Sequence, residues 1–369
     1  MVMRKFQTLV LANSFACLVL VKFGLLILYD WANGSNYFGQ YALAHGLIAG
    51  LFTLAGFQAR MFVLSKIRNV ADLGRFQIIL IGAAGIAAVI TIGLNQAFPS
   101  LAILALVCAQ RGLENLMLAR ASFSQIQSTR KIAFQKLNQY GIIIVGTYAV
   151  ALFWSLEFAL LAEVAVLLFT IWHQRADIST GEKTPSQGYI AIGVLGVAFS
   201  LSAGLNAGLN SALLYFAHQW FSLDGAMALA QILAVQAMLG RLMVNNSVFF
   251  LQEISNALSR SEYLVLVIWV GLASTMLSLH SIGASIILMG AIFTCINAIN
   301  ILLRQHIMAT SGPKALVQLH GLEIIGFVLF AFWAAGSIET LFFIFICIRT
   351  IRIPILLYLR HPMGSEALS

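Results

Sequence analysis

Lys and Arg are missing from every second connection between the long apolar stretches of this 369-residue chain. Twelve stretches are long enough to cross a bilayer, which takes about 20 mostly apolar residues. Because cytoplasmic loops hold the excess of Lys and Arg in membrane proteins, the alternation predicts an even number of spans with both termini in the cytoplasm. The connections without Lys or Arg lie near residues 30–38, 97–100, 155–158, 217–224, 280–283 and 336–339.

The composition agrees with an all-α polytopic membrane protein, since 60% of the residues are hydrophobic and 9% are charged. A soluble chain would have about a quarter of its residues charged. The net charge of +8 is spread over the basic loops, so no nucleic-acid partner is predicted. The predicted spans are residues 8–29, 39–63, 76–97, 100–119, 138–155, 158–173, 188–216, 225–249, 262–280, 284–303, 316–336 and 339–358.

The most polar connection predicts a division of the chain into two six-helix bundles. We expect an N-terminal lobe over residues 1–175, a cytoplasmic linker over 176–187 and a C-terminal lobe over 188–369. GQYALA at 39–44 recurs as GAMALA 186 residues later. The offset spans six helices, so the halves are predicted to be parallel repeats related by an axis along the membrane normal, with a central cavity at their interface.

Ionisable residues inside apolar stretches are the candidate site residues, because an ionised side chain at the bilayer centre costs at least about 2.5–3.5 kcal/mol. Lys22 has no acid one turn away in the first span; it either faces a water-accessible cavity or snorkels to the outer surface. Arg111 can pair with Glu114 on the same helical face, for a structural or a functional purpose. Arg241 is either a ligand or an inner-end anchor.

Further polar candidates are two acids and four amides. Glu163 and Glu323, like Glu114, are candidates for binding a coupling ion, with hydrogen bonding between helices as the alternative. Asn206 and Asn210 share a face of the seventh span, and the repeat offset places Asn297 and Asn300 at the positions of Arg111 and Glu114. Four distant cysteines without a CxxC pair predict neither a metal site nor a disulfide framework, and no cofactor is expected.

The segment Tyr37-Phe-Gly-Gln-Tyr-Ala-Leu43 and the second span ending in Gly56-Phe57 and Arg60 resemble the opening of the polysaccharide-export flippases, a branch of the MATE-like superfamily. The resemblance implies two helical lobes around a cationic cavity in a bacterial inner-membrane protein. It also implies a polyprenyl-diphosphate-linked oligosaccharide as the substrate, moved to the periplasmic leaflet for O-antigen or capsule synthesis. Membrane lipids, and the polymerase and ligase of the same pathway, are the partners it suggests.

Lys22 and Arg241 resemble the basic residues of that family's first and eighth spans. We expect these two residues and Arg111, a third cation inside a span, to bind the diphosphate. Asn206, Asn210, Asn297 and Asn300 would meet the sugars. The chain is short for such a flippase. The main alternative is a MATE-type ion-coupled exporter of small molecules, which would favour acids in the cavity. An enzyme of the same pathway is disfavoured, because every outer connection is about nine residues or fewer and no catalytic constellation stands out.

Overall fold

The computed structural model describes residues 21–67, 69–127, 130–173, 188–237, 284–310 and 314–360, and every regular element in these ranges is a helix. We label as α1 the helical residues 21–33 and as α9 the helix Leu223–Ala237. The others are α2 (Tyr37–Ala55), α3 (Ala59–Lys66), α4 (Val70–Leu94), α5 (Leu101–Gln127), α6 (Arg130–Leu152), α7 (Leu156–His173), α8 (Tyr189–Trp220), α10 (Ala284–Thr310), α11 (Lys314–Ala334) and α12 (Ile338–Arg360).

Short polar side chains begin many of these helices. Each accepts a hydrogen bond from a backbone N–H of the first turn, which has no partner within the helix. The Asn69 side chain accepts from Asp72 N at 2.7 Å at the start of α4. Ser337 Oγ accepts from Thr340 N at 3.2 Å at the start of α12. Ser100, Ser155 and Ser222 do the same for α5, α7 and α9.

Six helices among the described residues are long and apolar enough to cross a membrane, and α8, which bends by 53° between Ala198 and Ser200, makes a seventh if it is one span. The chain is a multi-pass membrane protein, as predicted. The count of about twelve spans is not confirmed, since the whole predicted ninth span and about half of the predicted first and eighth spans lie outside the described residues. The cytoplasmic location of both termini likewise stays a prediction.

Exposed aromatic side chains mark the ends of several helices. Trp154 and Trp172 are 69% and 73% exposed and lie at the ends of α6 and α7, and Trp31 and Trp220 stand near the ends of α1 and α8. Tryptophan at the ends of spans is typical of the membrane–water interface. All four tryptophans also lie at or near the ends of the spans predicted from the sequence, 8–29, 138–155, 158–173 and 188–216.

The chain divides into two compact units, Met1–Ala207 and Gly208–Ser369. In unit 1, α5 packs against α2, α3, α4, α6 and α7. In unit 2, α12 packs against both α10 and α11. The division falls within α8, whereas the sequence predicts it at the linker 176–187; that linker lies outside the described residues, and the predicted lobe boundaries and repeat symmetry stay predictions.

Candidate functional site

Lys22 of α1 is at the centre of a buried polar network in unit 1. Its ammonium forms an ion pair with Glu163 of α7, 141 residues away in the chain. It also donates a hydrogen bond to Tyr41 Oη at 2.9 Å. The Lys22 ammonium lies over two aromatic rings, 4.6 Å from the centre of Tyr41 and 4.5 Å from that of Tyr148. Lys22 is 4% exposed, so in this conformation it is enclosed by protein.

Gln110 of α5 connects this ion pair to a second one. Its amide nitrogen lies 3.0 Å from Glu163 Oε1, 3.1 Å from Glu114 Oε1 and 3.2 Å from Tyr41 Oη. An amide nitrogen has two N–H donors, so these three acceptors compete for them. Glu114 Oε2 pairs with Arg111 Nη1 at 2.5 Å, the contact that the i,i+3 spacing predicts. We call Lys22, Tyr41, Gln110, Arg111, Glu114, Tyr148 and Glu163 the unit 1 network.

The unit 1 network contains two carboxylates and two cations, each carboxylate in contact with one cation. Removing such charges from water is costly, and mutual attraction offsets that cost only where the geometry and the remaining hydrogen bonds are good. Gln110 supplies one of those further hydrogen bonds to each carboxylate. The network can therefore hold four charges inside unit 1, and any ligand of Lys22 has to compete with Glu163.

Unit 2 has a polar network of its own around Arg349 of α12. Its guanidinium donates to Asn210 Oδ1 of α8 at 2.8 Å, and its backbone carbonyl accepts from Asn300 Nδ2 of α10 at 3.0 Å. The Arg349 guanidinium also lies 5.2 Å from the ring centre of Phe345. Arg349 and Asn300 are both buried. Of the predicted amides, Asn210 thus contacts the buried guanidinium and Asn300 contacts the backbone of the same residue.

One turn further along α12, Arg352 meets His320 and Glu323 of α11. Arg352 Nε lies 3.4 Å from Glu323 Oε1, and Arg352 Nη2 lies 2.8 Å from His320 Nδ1. His320 Nδ1 lies 3.0 Å from Glu323 Oε2. This nitrogen either accepts from Arg352 or donates to Glu323, because one ring nitrogen cannot do both at once. We call Asn210, Asn300, His320, Glu323, Arg349 and Arg352 the unit 2 network.

The predicted site residues fall into separate groups. Lys22, Arg111, Glu114 and Glu163 meet in the unit 1 network, and Asn210, Asn300 and Glu323 belong to the unit 2 network. Asn297 instead lies 3.5 Å from Gln236 Oε1, and Gln236 bonds to Thr294. Asn206 is partly buried. Arg241 lies outside the described residues.

Sequence reasoning missed several residues of these networks: Tyr41, Gln110, Tyr148, His320, Arg349 and Arg352. Two of them carry a readable signal, since Arg349 and Arg352 are cations inside the predicted span 339–358 and share a helical face. Arg349 and Arg352 meet the criterion by which Lys22 was chosen, an ionisable residue inside an apolar stretch. Tyr41, Gln110 and Tyr148 are neutral, so their role becomes visible only once their helices are packed.

The described residues contain no group of His, Cys, Asp and Glu side chains that could hold a metal ion. The two networks can stabilise ionised groups. Gln110 and His320 can each exchange one hydrogen-bond partner for another. Apart from Lys22 on α1, the residues of both networks lie on helices long and apolar enough to cross a membrane, counting the bent α8 as one span, or on shorter apolar helices. This chemistry suits the binding of a charged ligand.

No family model and no curated protein matches the chain. Among solved structures it is similar to a multidrug resistance MATE family transporter of the MOP superfamily, in an inward-facing conformation, with a TM-score of 0.54 and 10% identity over 96% of each chain. A MATE protein in complex with Br-NRF is also similar, with a TM-score of 0.39 and 12% identity over 95% of this chain and 93% of that one. The first similarity shows that the chain has a MATE-like fold.

Proposed function

We propose that this protein is a membrane exporter that moves an anionic, polyprenyl-diphosphate-linked oligosaccharide from the inner to the outer leaflet. The MATE-like fold supports a transporter. We choose an anionic cargo because the acidic residues inside the described apolar helices are already paired with basic side chains. Glu114, Glu163 and Glu323 lie in the interior of described apolar helices, and each already contacts a basic side chain of the same chain.

Paired acids disfavour a cationic cargo. An exporter of organic cations has to present a carboxylate to its cargo, and here the cargo would first have to displace Lys22, Arg111 or Arg352. An anionic cargo needs a cation instead. Among the described residues of the unit 2 network, two guanidiniums accompany one carboxylate, so this network has a net positive formal charge when His320 is neutral.

A diphosphate suits such cations for two reasons. Its negative charge is attracted more strongly in a low-dielectric environment than in water. The planar guanidinium also matches the geometry of phosphate oxygens. Within unit 2, Arg349 and Arg352 are therefore proposed as diphosphate ligands. Lys22, Arg111 and Arg241 stay the diphosphate ligands proposed from the sequence, and the amides Asn206, Asn210, Asn297 and Asn300 stay the proposed sugar contacts.

The alternative is an ion-coupled exporter of small molecules, which the fold alone suits equally well. A strain without the gene distinguishes the two roles. We expect undecaprenyl-linked repeat units to accumulate on the cytoplasmic side and surface polysaccharide to be lost. Complementation with the wild-type gene should restore export, whereas the Arg349→Gln gene should restore less at matched expression. Intact surface polysaccharide together with raised sensitivity to small cationic drugs would establish the alternative.

A further inference from the structure

The surroundings of the Lys22 ammonium have the composition of a binding site for a free cation. A carboxylate oxygen of Glu163 and the hydroxyl of Tyr41 contact the nitrogen directly. The rings of Tyr41 and Tyr148 cover it at 4.6 and 4.5 Å. Carboxylates and aromatic faces are the groups that proteins use to bind ammonium ions.

The site is also held in place by groups that do not touch the cation. Gln110 donates to the other oxygen of Glu163 at 3.0 Å, which fixes the carboxylate. The ring of Phe23 packs against that of Tyr41 with centres 5.7 Å apart. Tyr41, Gln110, Tyr148 and Glu163 are all buried. A cation placed here is therefore almost fully separated from water.

We propose that this is a cation site that the protein fills with its own side chain, so that Lys22 replaces a free monovalent cation at Glu163. The aliphatic part of Lys22 tethers the ammonium to α1. As long as Lys22 is in place, neither an alkali ion nor an organic ammonium can bind to Glu163. Truncating Lys22 should convert the site into a receptor for small alkylammonium ions. This inference rests on unit 1 alone and does not depend on the proposed cargo.

The probe is n-propylammonium, which matches the atoms from Cγ to Nζ that Lys22→Ala removes. Its effect on the melting temperature of the purified full-length protein is measured in detergent. We expect a saturable rise of at least about 2 °C in Lys22→Ala. Wild type and Lys66→Ala, which removes an exposed lysine from the end of α3, should not respond. Equal concentrations of 1-propanol and NaCl control for hydrophobic and ionic-strength effects.

Removing the carboxylate provides a second control. The response to propylammonium should disappear in the double variant Lys22→Ala/Glu163→Gln. An equal response in wild type, in the double variant, or to 1-propanol would overturn the proposal, as would no response in Lys22→Ala.

If Lys22→Ala cannot be purified, Lys22→Met and Lys22→Met/Glu163→Gln test the same idea. The double variant should melt at a higher temperature than the single one, because the single variant leaves the Glu163 carboxylate buried without its cation. A double variant no more stable than the single one would show that Lys22 does not neutralise Glu163, and the proposal would fail.

Discussion

Replacing Glu323 by Gln should destabilise the protein by about 3–5 kcal/mol, the cost of breaking a buried ion pair from one side. Glu323 is 6% exposed and Arg352 is 1% exposed, so the guanidinium cannot recover water when the charge is removed. Glu323 Oε1 and Arg352 Nε are 3.4 Å apart. Two unit charges at that distance attract each other by about 5 kcal/mol at an effective dielectric constant of 20, which agrees with this range.

The assay is unfolding by sodium dodecyl sulfate, followed by tryptophan fluorescence and by loss of helical circular dichroism. A matched control is Glu339→Gln, the same chemical change in the first turn of α12. An acidic residue in the first turn of a helix is stabilised by the helix dipole, and we expect its loss to cost about 0.3–1 kcal/mol. The double variant Glu323→Gln/Arg352→Met should recover part of the lost stability, because it no longer buries an unpaired charge. If Glu323→Gln costs no more than Glu339→Gln, the reasoning is refuted.

Three further changes have expected outcomes. Gly56→Ala should cost about 1–3 kcal/mol in the same unfolding assay, because the new Cβ would lie 2.5 Å from the Asn115 side chain. The control is Gly82→Ala, where the new Cβ would meet no atom within 4 Å and the change should be neutral or stabilising by up to about 1 kcal/mol. Equal effects of the two substitutions would contradict this prediction. Gln58 has a φ of 45°, a left-handed conformation that is strained for most residues other than glycine. Gln58→Gly should therefore be tolerated or should stabilise the protein by about 1 kcal/mol. A loss of stability would show that the left-handed conformation of Gln58 is not strained. Arg349→Lys should retain more export than Arg349→Gln, measured as surface polysaccharide at matched protein levels, and the opposite order would contradict an electrostatic role.

Local patterns allowed the sequence to predict parts of this structure. An apolar helix is recognised from about 20 consecutive residues, and a loop from its few charged residues. The apolar helices, and the tryptophans at their ends, could therefore be located from the sequence. The Arg111–Glu114 pair was predictable for the same reason, since both residues lie one turn apart on α5. The MATE-like fold agrees with the resemblance carried by Tyr37-Phe-Gly-Gln-Tyr-Ala-Leu43.

Contacts between distant helices could not be read from the sequence. Lys22 has no acidic neighbour on its own helix, and its partner Glu163 is 141 residues away. Only the packing of α1 and α7 within unit 1 brings the two together. Lys22, which the sequence predicts either to face a water-accessible cavity or to snorkel to the outer surface, is instead buried and ion-paired in this conformation. Arg349 and Arg352, by contrast, could have been identified from the sequence, because both are charged residues inside a predicted span. They were nevertheless not among the predicted site residues.

The measurement that tests the proposed export most directly is translocation by the purified protein in proteoliposomes. Liposomes contain a fluorescent polyprenyl-diphosphate oligosaccharide, and a membrane-impermeant reductant quenches the lipid in the outer leaflet. The account predicts that wild-type protein makes nearly all of the lipid accessible, that Arg349→Gln does so much more slowly, and that ethidium is not transported by the same preparation. Transport of ethidium without any movement of the diphosphate lipid would contradict the account and would identify an exporter of cationic small molecules.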